Sequence, residues 1–225
     1  GALLEILGCC DRALIGGVEH ALDAATRERF EALFAAWSED GFRVLGIAEK
    51  HLPPADRYSA ADESAMLFRG FLLFMDPPEP EVAATLEALG ALGVGGKMIT
   101  GDNRLVAAHV ARTVGMDTPR VLCGAEISAM KDEALTLLAR DTAVFAEIEP
   151  NQKERIVRAL QRGGRVVGYL GDGINDAPAL HTADVGISVD SAVDVARDAA
   201  DMVLLKHDLD VIREGIDEGR HTFAN

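Results

Sequence analysis

Basic residues are scarce in this chain relative to acidic ones. Lys and Arg number 22 against 37 Asp and Glu in 225 residues, a formal charge of −15. A protein this acidic does not gather nucleic acid or anionic lipid on its own surface. Long apolar runs are missing as well. A membrane-spanning helix needs about 18 or more consecutive apolar residues, whereas the runs ending at Met75 and at Gly96 are far shorter, each with a charge close behind. Cysteine is limited to Cys9, Cys10 and Cys123. An odd number without CxxC spacing argues against a disulfide framework or a zinc site, and sets the expectation of a reducing, cytosolic compartment. Glu5 and Asp11 interrupt the start and no basic segment precedes it, so no signal peptide is expected.

Several chemical motifs are missing too. Gly93 to Met98 reads GVGGKM, but a phosphate-binding GxxxxGK[ST] loop would need Gly at Ala91 and Ser or Thr at Met98. No GxGxxG opens a helix after a strand, and no GxSxG elbow is present. The six histidines show no HExxH or paired spacing and read as structural or surface residues.

What is present is an ordinary globular composition, 48% apolar and 26% charged, long enough for one or two domains. Thr26 to Ser38 reads as a helix with Phe30, Leu33, Phe34 and Trp37 on one face, stopped by Asp40 and Gly41. Arg43 to Ala48 reads as a strand. The segment 51–64, with two prolines and small polar residues, reads as a connector between domains. Strands are then expected at 67–75, 95–99, 143–146, 165–170, 185–187 and 202–205. Helices are expected at 81–92, 103–114, 151–161, 177–182, 192–199 and 207–220. Such alternation predicts an α/β fold, a parallel sheet with helices on both faces.

Two of these strands end in Gly-Asp, in KMITGD and in GYLGDGIND. In parallel α/β sheets, ligands bind beyond the carboxyl ends of the strands. Gly101, Gly171 and Gly173 are read as letting the backbone turn sharply there and approach a ligand. Asp172 and Asp176, four apart across a turn into a helix, offer hard carboxylate oxygens that suit Mg²⁺. Asn175 can orient a carboxylate or bond a phosphate oxygen. Lys153, at the start of a helix, can bring a cation to a phosphoryl group. Taken singly, each feature has a plainer reading. Gly-Asp at a strand end makes a turn, Lys153 is a solvated helix-face lysine, and Arg43 is a surface cation. The ten-residue string GDGINDAPAL is not demanded by any turn.

MITGDN (Met98 to Asn103), EPNQK ending at Lys153, and GDGINDAPAL (Gly171 to Leu180) together resemble the signatures of P-type ATPases, in that family's order. MDPPE (Met75 to Glu79) resembles the hinge between the family's nucleotide-binding and phosphorylation domains. The opening GALLEIL resembles the stretch after the family's KGA lysine. YSAADES (58–64), VDVARDAADMVLL (193–205) and GRHTFAN (219–225) resemble the magnesium-importing subclass.

The resemblance implies a haloacid-dehalogenase-like Rossmannoid phosphorylation domain at 69–225 and part of an α+β nucleotide-binding domain at 1–68. It implies Mg²⁺ and ATP as cofactors. Asp172 and Asp176 match the family's metal-site aspartates. Thr100, Gly101 and Asp102 match the loop beside phosphate and nucleotide, Lys153 the phosphoryl-contacting lysine, and Arg43 a nucleotide-contacting arginine. Gly173 and Asn175 belong to the same cradle.

The chain departs from the family in several places. The nucleophilic aspartate of DKTGT, the KGA lysine, the actuator domain and the membrane helices are absent from this sequence. Leu170 replaces the threonine often found before GDG. Glu147 stands where some members have a nucleotide-contacting arginine, and Glu79 where many have a basic residue. The expectation is therefore a segment of a longer ATP-driven cation pump at the cytoplasmic face of the membrane. Its partners would be ATP, the other domains of the same pump, and a transported cation held in membrane helices elsewhere, with no nucleic acid. Without the nucleophile strand, a gap or open sheet edge is expected, with a looser core, rearranged pairing or self-association at that edge. The alternatives are a soluble haloacid-dehalogenase-type phosphatase, whose DxDxT is not found, and a non-catalytic Mg²⁺- or nucleotide-binding module.

Overall fold

The computed structural model describes residues 1–117, 120–206 and 208–224. The chain divides into two compact units, Gly1–Pro77 and Pro78–Asn225.

The first unit runs α1 (Leu3–Gly8), β1 (Cys10–Ile15), β2 (Val18–Ala21), α2 (Ala24–Glu39), β3 (Arg43–Glu49) and β4 (Met66–Phe74). Its sheet has the order β2-β1-β4-β3. The β1–β2 hairpin turns on Gly16 and Gly17, both with positive φ (59° and 83°), the two-residue turn whose twist matches the flanking strands. That Gly-Gly signal lay in the sequence, where the hairpin and α1 were not expected. α2 starts where the Asp23 carboxylate accepts from the Thr26 amide at 2.8 Å. Its expected apolar stripe is core: Phe30 is buried with Leu3, Leu7 and Phe68, Leu33 and Phe34 pack against them, and Trp37 meets Phe71 edge to face.

The expected boundary after residue 68 falls inside β4. This strand is parallel to β1 and antiparallel to β3, so its ladder bonds hold all of Met66–Phe74 to the first sheet. The division falls instead at Pro77–Pro78, where proline removes the amide a further strand pairing would need.

The second unit runs α3 (Val82–Ala91), β5 (Met98–Ile99), α4 (Arg104–Thr113), β6 (Val121–Cys123), α5 (Gly124–Ala129), α6 (Asp132–Asp141), β7 (Val144–Ala146), α7 (Pro150–Arg162), β8 (Gly168–Leu170), α8 (Ala177–Thr182), β9 (Val185–Val189), α9 (Asp194–Ala199), β10 (Met202–Leu204) and α10 (Asp210–Ala224). The helix expected from 207 begins at Asp210; residue 207 itself, and Asn225 of the closing GRHTFAN, lie outside the described residues.

All pairings in this unit are parallel, as the alternation predicted. They form two three-stranded sheets, β5-β7-β6 and β10-β9-β8. Among the described residues, β5 and β8 are each paired on one side only. Helices cover both faces of the first of these sheets. Val144 and Ala146 of β7 pack with Ala107 and Ala111 of α4, while Phe145 points the other way, among Leu122, Leu135, Ile156 and Leu160. A strand buried on both faces must be apolar throughout, as VFA is. The core on that side continues to Tyr169 of β8 and Leu180 of α8, so α7 lies over a core shared by both sheets. No helix among the described residues is long and apolar enough to cross a membrane.

Lys97, in the segment that superficially resembles a phosphate-binding loop, has a different task. Its ammonium donates to the carbonyls of Arg140 (2.9 Å) and Thr142 (2.6 Å) at the end of α6.

Candidate active site

The candidate residues of the second unit lie just beyond the carboxyl ends of β5 and β8 and at the start of α7. α7 forms because Pro150 occupies its first turn and Gln152 closes a capping box, its Oε1 accepting from the Glu149 amide at 2.9 Å. Ile156, Val157 and Leu160 are buried along this helix, three, four and seven residues after Lys153. The same face therefore carries the lysine inward.

Lys153 Nζ donates to Asp176 Oδ1 at 2.7 Å, with both side chains largely buried, 15% and 10% exposed. Tyr169 Oη donates to the same oxygen at 2.7 Å. The Gly173 amide donates to Asp176 Oδ2 at 3.1 Å. Burial alone would push the Asp176 carboxyl up. The hydrogen bonds from Lys153 and Tyr169 and the lysine charge outweigh it and hold the carboxyl below its ordinary value. Tyr169 responds in the opposite sense: burial, then the neighbouring Asp176, raise its phenol well above the usual range. It is thus a neutral donor. Local sequence offered no cue to Tyr169, since a tyrosine in an apolar strand reads as core; only the fold puts its hydroxyl on Asp176.

Gly171 has no positive φ, contrary to the sharp turn expected of it, and neither have Gly101 and Gly173. What Gly171 supplies is space. A Cβ there would lie 2.6 Å from Asp176 Cβ and 2.8 Å from its Cγ. At Gly101 a Cβ would meet only the Ile148 carbonyl at an ordinary 3.6 Å.

Asp172 is exposed. Its carbonyl accepts from the Val193 amide at 3.1 Å, and its carboxylate makes no hydrogen bond or ion pair to the described residues. Asn175 is also exposed. The two aspartates expected to act alike therefore differ: Asp176 is internally engaged and Asp172 faces outward. No group of three or more His, Cys, Asp or Glu able to hold a metal occurs among the described residues. The donor set nevertheless fits Mg²⁺, which takes one or two carboxylates and keeps its other positions for water and phosphate oxygens.

Beyond β5, Thr100 Oγ1 donates to Asp102 Oδ2 at 2.9 Å and accepts from the Asp102 amide at 3.1 Å. Asn103 caps α4, its Oδ1 accepting from Leu105 and Val106 at 3.0 Å each. The structure thus joins Lys153 with Asp176 and Gly173, and Thr100 with Asp102. Arg43, at the start of β3, belongs to the first unit.

The second unit thus sets acidic loops at the carboxyl ends of β5 and β8, the position at which parallel α/β folds bind ligands. Residues 13–184 match the model of the haloacid dehalogenase-like hydrolase family, and the chain belongs to it. The chain is 46% identical over its full length to a protein of Escherichia coli (strain K12) named "Magnesium-transporting ATPase, P-type 1", of which it covers 25%. It is 43% identical over its full length to a protein of that name from Salmonella typhimurium (strain LT2), again covering 25%. It is 36% identical over 88% of its length to "Calcium-transporting ATPase 1" of Yarrowia lipolytica, covering 22%. The chain thus spans about a quarter of the length of these relatives.

Proposed function

We propose that this chain is the phosphate- and Mg²⁺-handling segment of an ATP-driven cation pump, with Mg²⁺ as the transported ion, facing the cytoplasm. The observation that carries this reading is the Lys153–Asp176 pair, in a chain 46% identical to a magnesium-transporting relative. The pair holds a cation beside the strand ends where a phosphoryl group would sit.

In this reading an aspartyl carboxylate elsewhere in the whole protein attacks the γ-phosphate of ATP, forming an acyl phosphate and releasing ADP. Lys153 stabilises the charge on the transferring group, and Asp176 keeps that lysine in place. Thr100, Gly101 and Asp102 line the same phosphate from the β5 side. Asp172 supplies the outward carboxylate for Mg²⁺, joined by Asp176 as the coordination requires. Bound Mg²⁺ supplies electrostatic stabilisation of the phosphate oxygens. Gly173 and Asn175 shape the loop, and Arg43, with the rest of the first unit, contributes to nucleotide binding.

The test is a Mg²⁺ titration of the chain followed by NMR, repeated with inorganic phosphate, with Asp172→Asn and Asp176→Asn as controls. Shifts centred on 171–176 and 100–102, lost in the controls, are expected. Dispersed spectra without localised shifts would reject the reading.

A further inference from the structure

The turn between β7 and α7 holds a residue whose backbone is out of the ordinary. Glu147 has φ +56°, in the left-handed region that side chains other than glycine rarely adopt. Such a conformation persists only where its surroundings over-determine it, and here several contacts do so. The Glu147 amide donates to the Asp102 carbonyl at 2.8 Å, and the next amide, Ile148, donates to the Thr100 carbonyl at 3.0 Å. The Glu147 carboxylate accepts from the Arg104 amide at 3.1 Å. With Asn103 holding the Leu105 and Val106 amides, the first three amides of α4 are all engaged within the chain. On its other side the Glu147 carbonyl lies so close to Gly124 that a Cβ there would be 2.2 Å away. Three residues later the chain enters α7, which carries Lys153.

Glu147 therefore touches the Thr100–Asp102 loop, the start of α4 and the approach to α7. The loop leads off the β5-β7-β6 sheet, whereas the partner of Lys153, Asp176, follows β8 of the other sheet. No strand pairing joins these two sheets among the described residues, so their relative placement rests on the core they share under α7 and on turns such as this one.

We propose that Glu147 is a positioning residue: it holds the Thr100–Asp102 loop in place relative to Lys153. This inference rests on the phosphate-site reading above for its consequence, but not for its geometry. The backbone bonds of 147 and 148 set the height of the loop, and the carboxylate locks the loop's exit into α4. The residue also carries a negative charge into a region read as facing phosphate. It does so at a helix end that favours an anion, so its charge is offset there.

The experiment compares Glu147→Gln, which keeps the acceptor, with Glu147→Ala, which removes it. Both are titrated with Mg²⁺ and inorganic phosphate by NMR, and amide hydrogen exchange is measured at 100–106. In Glu147→Ala, exchange at Arg104 and the loop should quicken about tenfold, the change expected when a capping bond is lost. Shifts at 100–102 on adding the ligands should vanish while those at 171–176 remain. Glu147→Gln should behave as the parent in both measurements. A purely structural residue would not show loss confined to one loop with rescue by glutamine. Unchanged exchange in Glu147→Ala, simultaneous loss at both loops, or failure of glutamine to rescue would overturn the proposal. If the parent chain shows no ligand shifts at all, the phosphate-site reading fails, and the exchange comparison alone decides whether Glu147 positions the loop.

Discussion

Lys153 and Asp176 are 23 residues apart in the chain and 2.7 Å apart in the fold. The contact joins the first turn of α7 to the loop after β8. Removing one partner of a largely buried pair strands the other, which costs more than the pair contributes in net terms. Lys153→Met should lower stability by about 3 kcal/mol, the lower end of the range of about 3–5 kcal/mol for breaking a buried pair, because Tyr169 and Gly173 still hold the carboxylate. Lys153→Met combined with Asp176→Asn should cost less than the sum of the singles. Urea denaturation of the four proteins checks both points.

Tyr169→Phe removes a hydroxyl and leaves the ring that fills the core. The loss of one hydrogen bond to a charged acceptor should cost about 1.5–3 kcal/mol. Ligand-induced NMR shifts at 171–176 should remain, since Lys153 and the Gly173 amide still hold the aspartate. Complete loss of those shifts would mean that the hydroxyl is essential to the site.

Asp176 makes stability depend on pH in acid. Its carboxyl sits below the ordinary value of 3.8 in the folded chain. Its contribution is therefore fully present above that ordinary value and lost as pH falls through the lower, folded-state value. The stability difference between the parent and Asp176→Asn should be constant near neutrality and shrink below about pH 4. A difference that grew in acid would show that the carboxyl is raised instead.

Two glycines of the site should respond oppositely to alanine. Gly171→Ala drives a methyl to 2.6 Å from Asp176 Cβ, and overpacking of this kind costs about 1–3 kcal/mol. Gly101→Ala meets nothing closer than 3.6 Å and has a backbone that alanine accepts, so it should be neutral or stabilising by a few tenths of a kcal/mol, about the usual gain from a stiffer unfolded chain. Thermal melts of the two variants decide this.

The chain by itself should take up no γ-phosphate from ATP, because the proposed nucleophile is not among its residues. Radiolabelled ATP with acid precipitation checks this; label that survives acid and is released by hydroxylamine would overturn it. The sides of β5 and β8 that have no strand partner among the described residues should exchange their amides faster than β7 and β9, and sedimentation should show concentration-dependent association through those edges.

Much of this was legible in local sequence because local physics decides it. The period of Phe30, Leu33, Phe34 and Trp37 placed α2, and Pro150 marked the start of α7 within a residue. The alternation of strands and helices showed the parallel pairing, and GDGINDAPAL marked the loop that bears Asp172 and Asp176. Residues 124–141 were harder to read. They form α5 and α6, two short helices separated by a break; α5 is too short to show a period, whereas Leu135, Leu138 and Ala139 of α6 do stand at helical spacing.

What only the tertiary structure decided are the relations between distant segments. β4 joins the first sheet because its pairing partners, β1 and β3, are there. The second unit carries two short sheets because β5 and β8 find no partner between them among the described residues. Asp172 and Asp176 carry identical side chains four residues apart, yet one is exposed and the other is bound by three donors. A side chain's chemical type is written in the sequence. Its protonation, its partners and its freedom to bind a ligand depend on what the fold packs against it.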